Sequence, residues 1–158
     1  MIDTDMTSDI LIYNILKSTD DEFIRKCNLK FIDKSVPAME DDTIYIANVD
    51  LEPFETTFDK VTYKALVNIY VKTKQTDYLK GSRFLRTVVK HIKKVLRDDN
   101  ECKERGIIFR NTTYEYAGKY TLKGLHLLVQ MMEHETTTFD DKKGCVNVDA
   151  EDMQIKKE

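Results

Sequence analysis

Between residues 60 and 72 apolar and polar positions alternate with a period of two. Val61, Tyr63, Ala65, Val67, Ile69 and Val71 fall on one side; Thr62, Lys64, Leu66, Asn68, Tyr70 and Lys72 fall on the other. Only an extended strand puts residues i and i+2 on one face, so the pattern predicts a strand from about Phe58 to Lys72 with one buried face and one largely wet face. That is the antiparallel signature, because strands of a parallel sheet covered on both faces read as continuous apolar runs. The period then changes. Tyr78, Leu85, Val88, Val89, Ile92, Val95 and Leu96 recur at helical spacing. They predict a helix capped by Thr76 or Asp77 and running to about Arg97, roughly 30 Å at 1.5 Å per residue. Asp98-Asp99-Asn100 ends it, and Gly106 permits the turn into the next strand.

The same reasoning covers the rest of the chain. Ile10, Leu11, Tyr13, Ile15 and Leu16 predict an amphipathic helix begun by Thr7 or Ser8, with Asp9 near its positive end. Thr19-Asp20-Asp21-Glu22 has capping-box spacing and predicts a short helix over Asp20 to Lys26. Residues 33–42 read as a loop around Pro37. Thr43 to Val49 reads as a strand, broken at Leu51-Glu52-Pro53-Phe54 because proline cannot donate to a ladder. Ile107 to Tyr114 and Tyr120 to about Glu135 predict a hairpin turning at Ala117-Gly118-Lys119. Its second arm is apolar on both sides, which places it inside the sheet; a helix over Leu122 to Met132 is the alternative. From Thr136 to Glu158 all period is lost, which predicts a tail, disordered alone or ordered only against a partner. The expected architecture is one α+β domain over residues 1–135, followed by the tail 136–158. It has an antiparallel, mixed-edge sheet of about four strands, packed by one long helix and an N-terminal helix.

Composition narrows the class. A chain of 158 residues with 41% apolar content supports one core without covalent staples. Cys27, Cys102 and Cys145 are odd in number and form no CxxC pair, which predicts free thiols in a reducing compartment. No run of ~18 apolar residues exists, and the opening MIDTDMTSD lacks a basic start and an apolar core. These features predict a soluble intracellular chain with no membrane partner. Charge is unevenly spread. Residues 1–59 carry 5 basic and 14 acidic side chains, net −9, whereas residues 60–97 carry 11 basic and 1 acidic, net +10. Such asymmetry suggests nucleic-acid contact or self-complementary assembly.

Candidate chemistry is sparse. The five glycines are isolated, so no phosphate-cradling loop exists, and no GxSxG, HExxH or EF-hand spacing occurs. His126, Glu133, His134 and Glu135 form the only metal-like cluster, but strand alternation puts the glutamates opposite His134. Glu40-Asp41-Asp42 lacks the glycine and the spaced ligands of a hard-cation loop. Cys27 and Cys102 sit in no nucleophile motif. No catalytic, cofactor-binding or metal-binding residue is therefore expected, and the chain reads as a non-enzyme. What remains is a basic helix face of Lys80, Arg83, Arg86, Lys90, Lys93, Lys94 and Arg97. It suits phosphates, yet stacking aromatics do not interleave with it, since Tyr78 and Phe84 lie near the helix start. The alternatives are a solvated face, an interface toward an acidic surface, or a nucleic-acid-binding module.

Three stretches carry a resemblance: Lys64 to Val71 leading into the helix Asp77–Arg97, Ile107-Ile-Phe-Arg110 after the acidic loop, and the returning strand Tyr120 to Val129. Their order and spacing over residues 8–135 resemble the tail terminator and head–tail joining proteins of long-tailed bacteriophages and related archaeal viruses. The resemblance implies a tail-terminator-like fold and a non-enzymatic virion assembly protein of a tailed virus or prophage. It implies a ring, usually a hexamer, at the neck–tail junction. The implied partners are copies of itself, the tail tube protein and neck or connector proteins, with DNA passing through the lumen. The implied location is the virion, assembled in the host cytoplasm. No catalytic residue or cofactor comes with the family. Besides the basic face, the expected interaction surfaces are the loops and edges at Pro53, Phe54, Tyr114, Tyr116, Lys119 and Tyr120. The rivals are a nucleic-acid-binding module using the helix 77–97 and a small α+β enzyme, for which the sequence offers no acid–base pair.

Overall fold

The computed structural model describes residues 6–31, 42–75, 77–117 and 121–136. In chain order the elements are α1 (Ser8–Ser18), α2 (Glu22–Arg25), β1 (Asn28–Phe31), β2 (Thr43–Thr56), β3 (Lys60–Lys72), α3 (Tyr78–Asp98), α4 (Asn100–Glu104), β4 (Ile108–Ala117) and β5 (Thr121–Thr136). The fold class is α+β. The strands form one sheet in the order β1-β2-β3-β5-β4. By contacts the chain divides into two units, Met1–Glu52 with Lys64–Glu133, and Pro53–Tyr63 with His134–Glu158.

The sheet is mixed. β1 runs parallel to β2, with Asn28 opposite Thr43 and Phe31 opposite Ile46. A connection as short as residues 57–59 forces β2 and β3 antiparallel; the Thr57 amide closes it by donating to the Lys60 carbonyl at 2.8 Å. β3 and β5 also run in opposite directions. The Thr73 amide donates to the Lys123 carbonyl at 3.1 Å, and Asn68 meets His126 at 2.7 Å farther along. β4 and β5 form the expected antiparallel hairpin, with register shifts between Phe109 and Thr112 and between Glu115 and Tyr116.

The core belongs to the first unit. Ala65, Val67, Ile69 and Val71 of β3 and Leu125, Leu127, Val129 and Met131 of β5 turn one face inward. Leu85, Val88, Val89, Ile92 and Leu96 of α3 join the same cluster, as do Leu11, Ile12 and Leu16 of α1. Each such side chain contributes about 1.5–3 kcal/mol by leaving water. Asp77 caps α3, accepting from the Lys80 amide at 2.9 Å. Asp21, one step from the sequence expectation at the head of the short helix, caps α2 by accepting from Phe23 and Ile24. Gly106 takes a left-handed φ of 63° at the turn into β4.

Three expectations are corrected, on the strand count, the break in β2 and the place of Tyr78. The sheet has five strands among the described residues rather than about four, because β1 is too short to show a period. β2 runs through Pro53 to Thr56 instead of breaking near Leu51. Pro53 lies beyond residues 43–46, the stretch of β2 that pairs with β1 among the described residues, and proline is tolerated in a strand where no ladder bond needs its N–H. Asp99 both ends α3 and starts α4, its side chain accepting from the Cys102 amide at 3.0 Å. Tyr78 is 51% exposed and is no part of the core stripe. Residues 122–132 are strand, not helix. Most of the expected loop at 33–42, the turn residues Gly118 and Lys119, and residues 137–158 of the expected tail lie outside the described residues.

Two local constraints set the geometry. A Cβ on Gly124 would sit 2.6 Å from the Val71 carbonyl oxygen and 2.9 Å from Lys72 Cδ. Gly124 stands opposite Glu115 in the ladder. The absent side chain lets Lys72, on β3, reach across β5 to an ion pair with Glu115 on β4. Arg105 is fully buried. Its guanidinium donates to the Met6 carbonyl at 2.7 Å, Ser8 Oγ at 3.3 Å and Glu101 Oε2 at 3.2 Å. Its own carbonyl accepts from the Met132 amide at 2.8 Å. One side chain thus ties the entry of α1 to α4, and its backbone ties α4 to β5.

Gly124→Ala should cost about 1–3 kcal/mol in denaturant unfolding, because a backbone oxygen must give way; an unchanged midpoint would contradict the close approach. Arg105→Ala should cost about 3–5 kcal/mol by stranding buried partners. Arg105→Lys should recover little of it, since an ammonium does not reproduce a planar fork of directed donors. Full recovery by lysine would reduce the clasp to a point charge.

Candidate functional site

The basic residues of α3 recur three and four apart, which puts them on one stripe. Lys80, Arg83, Arg86, Lys90, Lys94 and Arg97 are exposed and Lys93 is half-buried. Three have partners inside the fold. Lys94 pairs with Asp98 at 3.1 Å. Arg97 lies 5.2 Å over the ring of Phe109. Arg86 donates through Nε to the Tyr114 hydroxyl and lies 5.4 Å over the same ring. That hydrogen bond is the main reason its guanidinium is held above its ordinary value. Lys80, Arg83, Lys90 and Lys93 form no ion pair among the described residues.

Tyr114 joins two surfaces that the sequence presents separately. It belongs to β4, the terminal strand of the sheet. Its hydroxyl is 3.0 Å from Ser82 Oγ on α3. Its ring lies 6.4 Å from Tyr78 and 6.5 Å from Tyr116. Tyr78, Leu79 and Tyr116 are exposed. The start of α3 and the edge of β4 therefore form one continuous patch of tyrosines, a leucine and cations. Lys119 and Tyr120 lie outside the described residues. Sequence reading placed Arg86 and Tyr114 on different surfaces; only the packing of β4 beside α3 brings them into contact.

The connection between β2 and β3 is a separate surface. Asp50, Glu52, Pro53, Glu55 and Asp59 are exposed, as are Leu51, Phe54 and Phe58. None of these four acids has an ion pair among the described residues. Thr57 Oγ1 donates to Asp59 Oδ1 at 3.3 Å, which fixes the turn.

The remaining ionisable groups hold the fold. Glu133 accepts from the Ser8 amide at 2.7 Å. Thr62 Oγ1 is 2.9 Å from His134 Nδ1, and Tyr63 donates to Glu135 at 3.2 Å. These neighbours in sequence thus serve different partners. His126 donates through Nε2 to Asn68 and stacks on Tyr70 at 4.5 Å; desolvation lowers its pKa. His91 meets Asp21 at 2.6 Å. Desolvation alone would raise the Asp21 carboxyl, but the His91 hydrogen bond and the α2 cap bonds outweigh it and hold the group below its usual value. Asp42, the described member of the acidic run, accepts from Thr73 Oγ1 at 2.9 Å and from the Lys74 amide at 3.0 Å. An open cavity of about 370 Å³ lies at the corner of α1, α2 and β1, lined in part by Leu16, Ile24 and Cys27. Burial, with the Asp42 charge second, pushes the Cys27 thiol up to about 12. Cys102 is likewise pushed up to about 12 by burial and by Asp99. A thiol with so little thiolate is a poor nucleophile at neutral pH.

No protein-family profile and no curated protein matches the chain. Among solved structures it is similar to a chain described as part of the virion of a native gene transfer agent particle. The TM-score is 0.58 at 9% identity, and the similarity covers 78% of this chain and 92% of that one. At that identity the likeness is one of fold.

In the native protein near pH 7.5, Cys27 and Cys102 should resist alkylation by iodoacetamide and react after denaturation. Peptide mass mapping checks this, and rapid native labelling of either residue would mean a far more accessible thiolate than the burial allows.

Proposed function

We propose that the chain is a non-enzymatic structural subunit of a virion or virion-like particle. Within that class it acts as a tail-terminator or head–tail joining protein that closes into a ring at the neck–tail junction. The observation that carries this reading is the shared fold with a chain of a gene transfer agent virion, which extends over 92% of that chain. The surface supports it. Among the described residues β4 ends the sheet; proteins cover such edges or use them in assembly. His91 and Asp21, Lys72 and Glu115, and Arg105 and Glu101 are paired within the fold. Copies of the same chain are the first partners, followed by tail tube and neck proteins, with DNA in the lumen.

The nucleic-acid reading keeps one point of support, the cations at Lys80, Arg83, Lys90 and Lys93. Binding through them would weaken steeply with salt. Self-assembly through the same stripe makes a different prediction. Light scattering across a concentration series should give a defined multiple of the chain mass, with six as the expected number. The triple variant Arg83→Glu, Arg86→Glu, Lys90→Glu should lower self-association at least tenfold. Unchanged assembly of the triple variant would remove the basic stripe from the interface. A wild-type chain that stays monomeric while binding duplex DNA at low salt would favour the rival.

A further inference from the structure

We propose that the β2–β3 hairpin of one copy docks on the α3–β4 patch of the next. This names the two halves of the subunit contact and rests on the ring reading above. Two features of each surface match. On one face of β2 the hairpin carries Asp50, Glu52 and Phe54, spaced i, i+2 and i+4 and all exposed. The patch carries Lys80, Arg83, Lys90 and Lys93 without ion pairs among the described residues. Beside them lie Tyr78, Leu79 and Tyr116, about half exposed at 51%, 60% and 47%.

A bare phosphate backbone would use the cations and leave these apolar side chains in water. The hairpin uses both. The carboxylates of Asp50 and Glu52 face the cationic stripe, and Phe54 on the same face supplies apolar area for the tyrosine and leucine surface, the aromatic anchoring typical of interface centres. Opposite charges also set register and exclude like-on-like approach of two hairpins or two helices. Because hairpin and patch are different surfaces, the contact is heterologous. A heterologous contact closes a ring when the rotation between successive copies closes. The Arg86–Tyr114 bond has a positioning role, since it holds the Tyr114 ring between Tyr78 and Tyr116 on the receiving side.

The test is a charge swap on the full chain. One variant carries Asp50→Lys and Glu52→Lys. The other carries Arg83→Glu, Lys90→Glu and Lys93→Glu, with Arg86 kept so that Tyr114 stays in place. Alone, each variant should lose self-association at least tenfold by light scattering. Mixed in equal amounts they should recover it, because every contact in an alternating ring then pairs opposite charges. Unchanged assembly of either variant alone would overturn this contact and leave the ring reading standing. So would a failed mixture of two variants that melt like wild type. A wild-type chain with no self-association up to ~100 µM would overturn both. If a reversed variant melts early, Asp50→Asn and Glu52→Gln carry the comparison, with weakened assembly expected and unchanged assembly decisive against the contact.

Discussion

The packing of α3 onto the inner face of β3 and β5 is the constraint on which the other features depend. Val67, Ile69 and Val71 meet Leu125, Leu127 and Val129 side by side, and Leu85, Val88, Ile92 and Leu96 close over them. A strand has only two faces, so the inward commitment of these positions decides where every other side chain goes. The polar residues of β3 must lie on the opposite face. The cations of α3 must lie on its outer stripe. A slip of one residue in β3 or β5 would exchange the two faces, so the apolar pattern also fixes the register.

The outer face is organised around what that register places opposite Gly124. With no side chain on the middle strand, Lys72 and Glu115 meet across it, and the charges on the flanking strands are satisfied by each other. Asn68, His126 and Tyr70 form a second cross-strand group on the same strands. Arg105 does comparable work at another corner, where one buried cation gathers Met6, Ser8 and Glu101. These groups are engaged with one another and hold strands and helices in place.

The chain is polarised: the acids cluster before residue 60 and the cations between 60 and 97. The fold turns that linear asymmetry into two distinct places, an acidic hairpin with exposed apolar side chains and a cationic helix flanked by tyrosines. Complementary, non-identical surfaces on one subunit favour head-to-tail association.

Much of this was legible in the residues. The period-two run of β3, the 3.6-residue stripe of α3 and the hairpin of β4 and β5 each encode their own conformation, because burial of one face is a local periodicity. The caps at Asp77 and Thr7 and the turn at Gly106 are equally local. β1 was not legible, because four residues show no period and its partner lies across the chain. Nor was the passage of β2 through Pro53, since proline's cost depends on whether a neighbour needs its N–H. Arg105 looked like any surface cation, and only the arrival of residues 6–8 buries it. The basic stripe was visible in the sequence as a set of residues, and so was Tyr114. Their union into one patch was decided by tertiary structure, because adjacency between α3 and an edge strand is set by how the core packs and leaves no mark in the order of the residues.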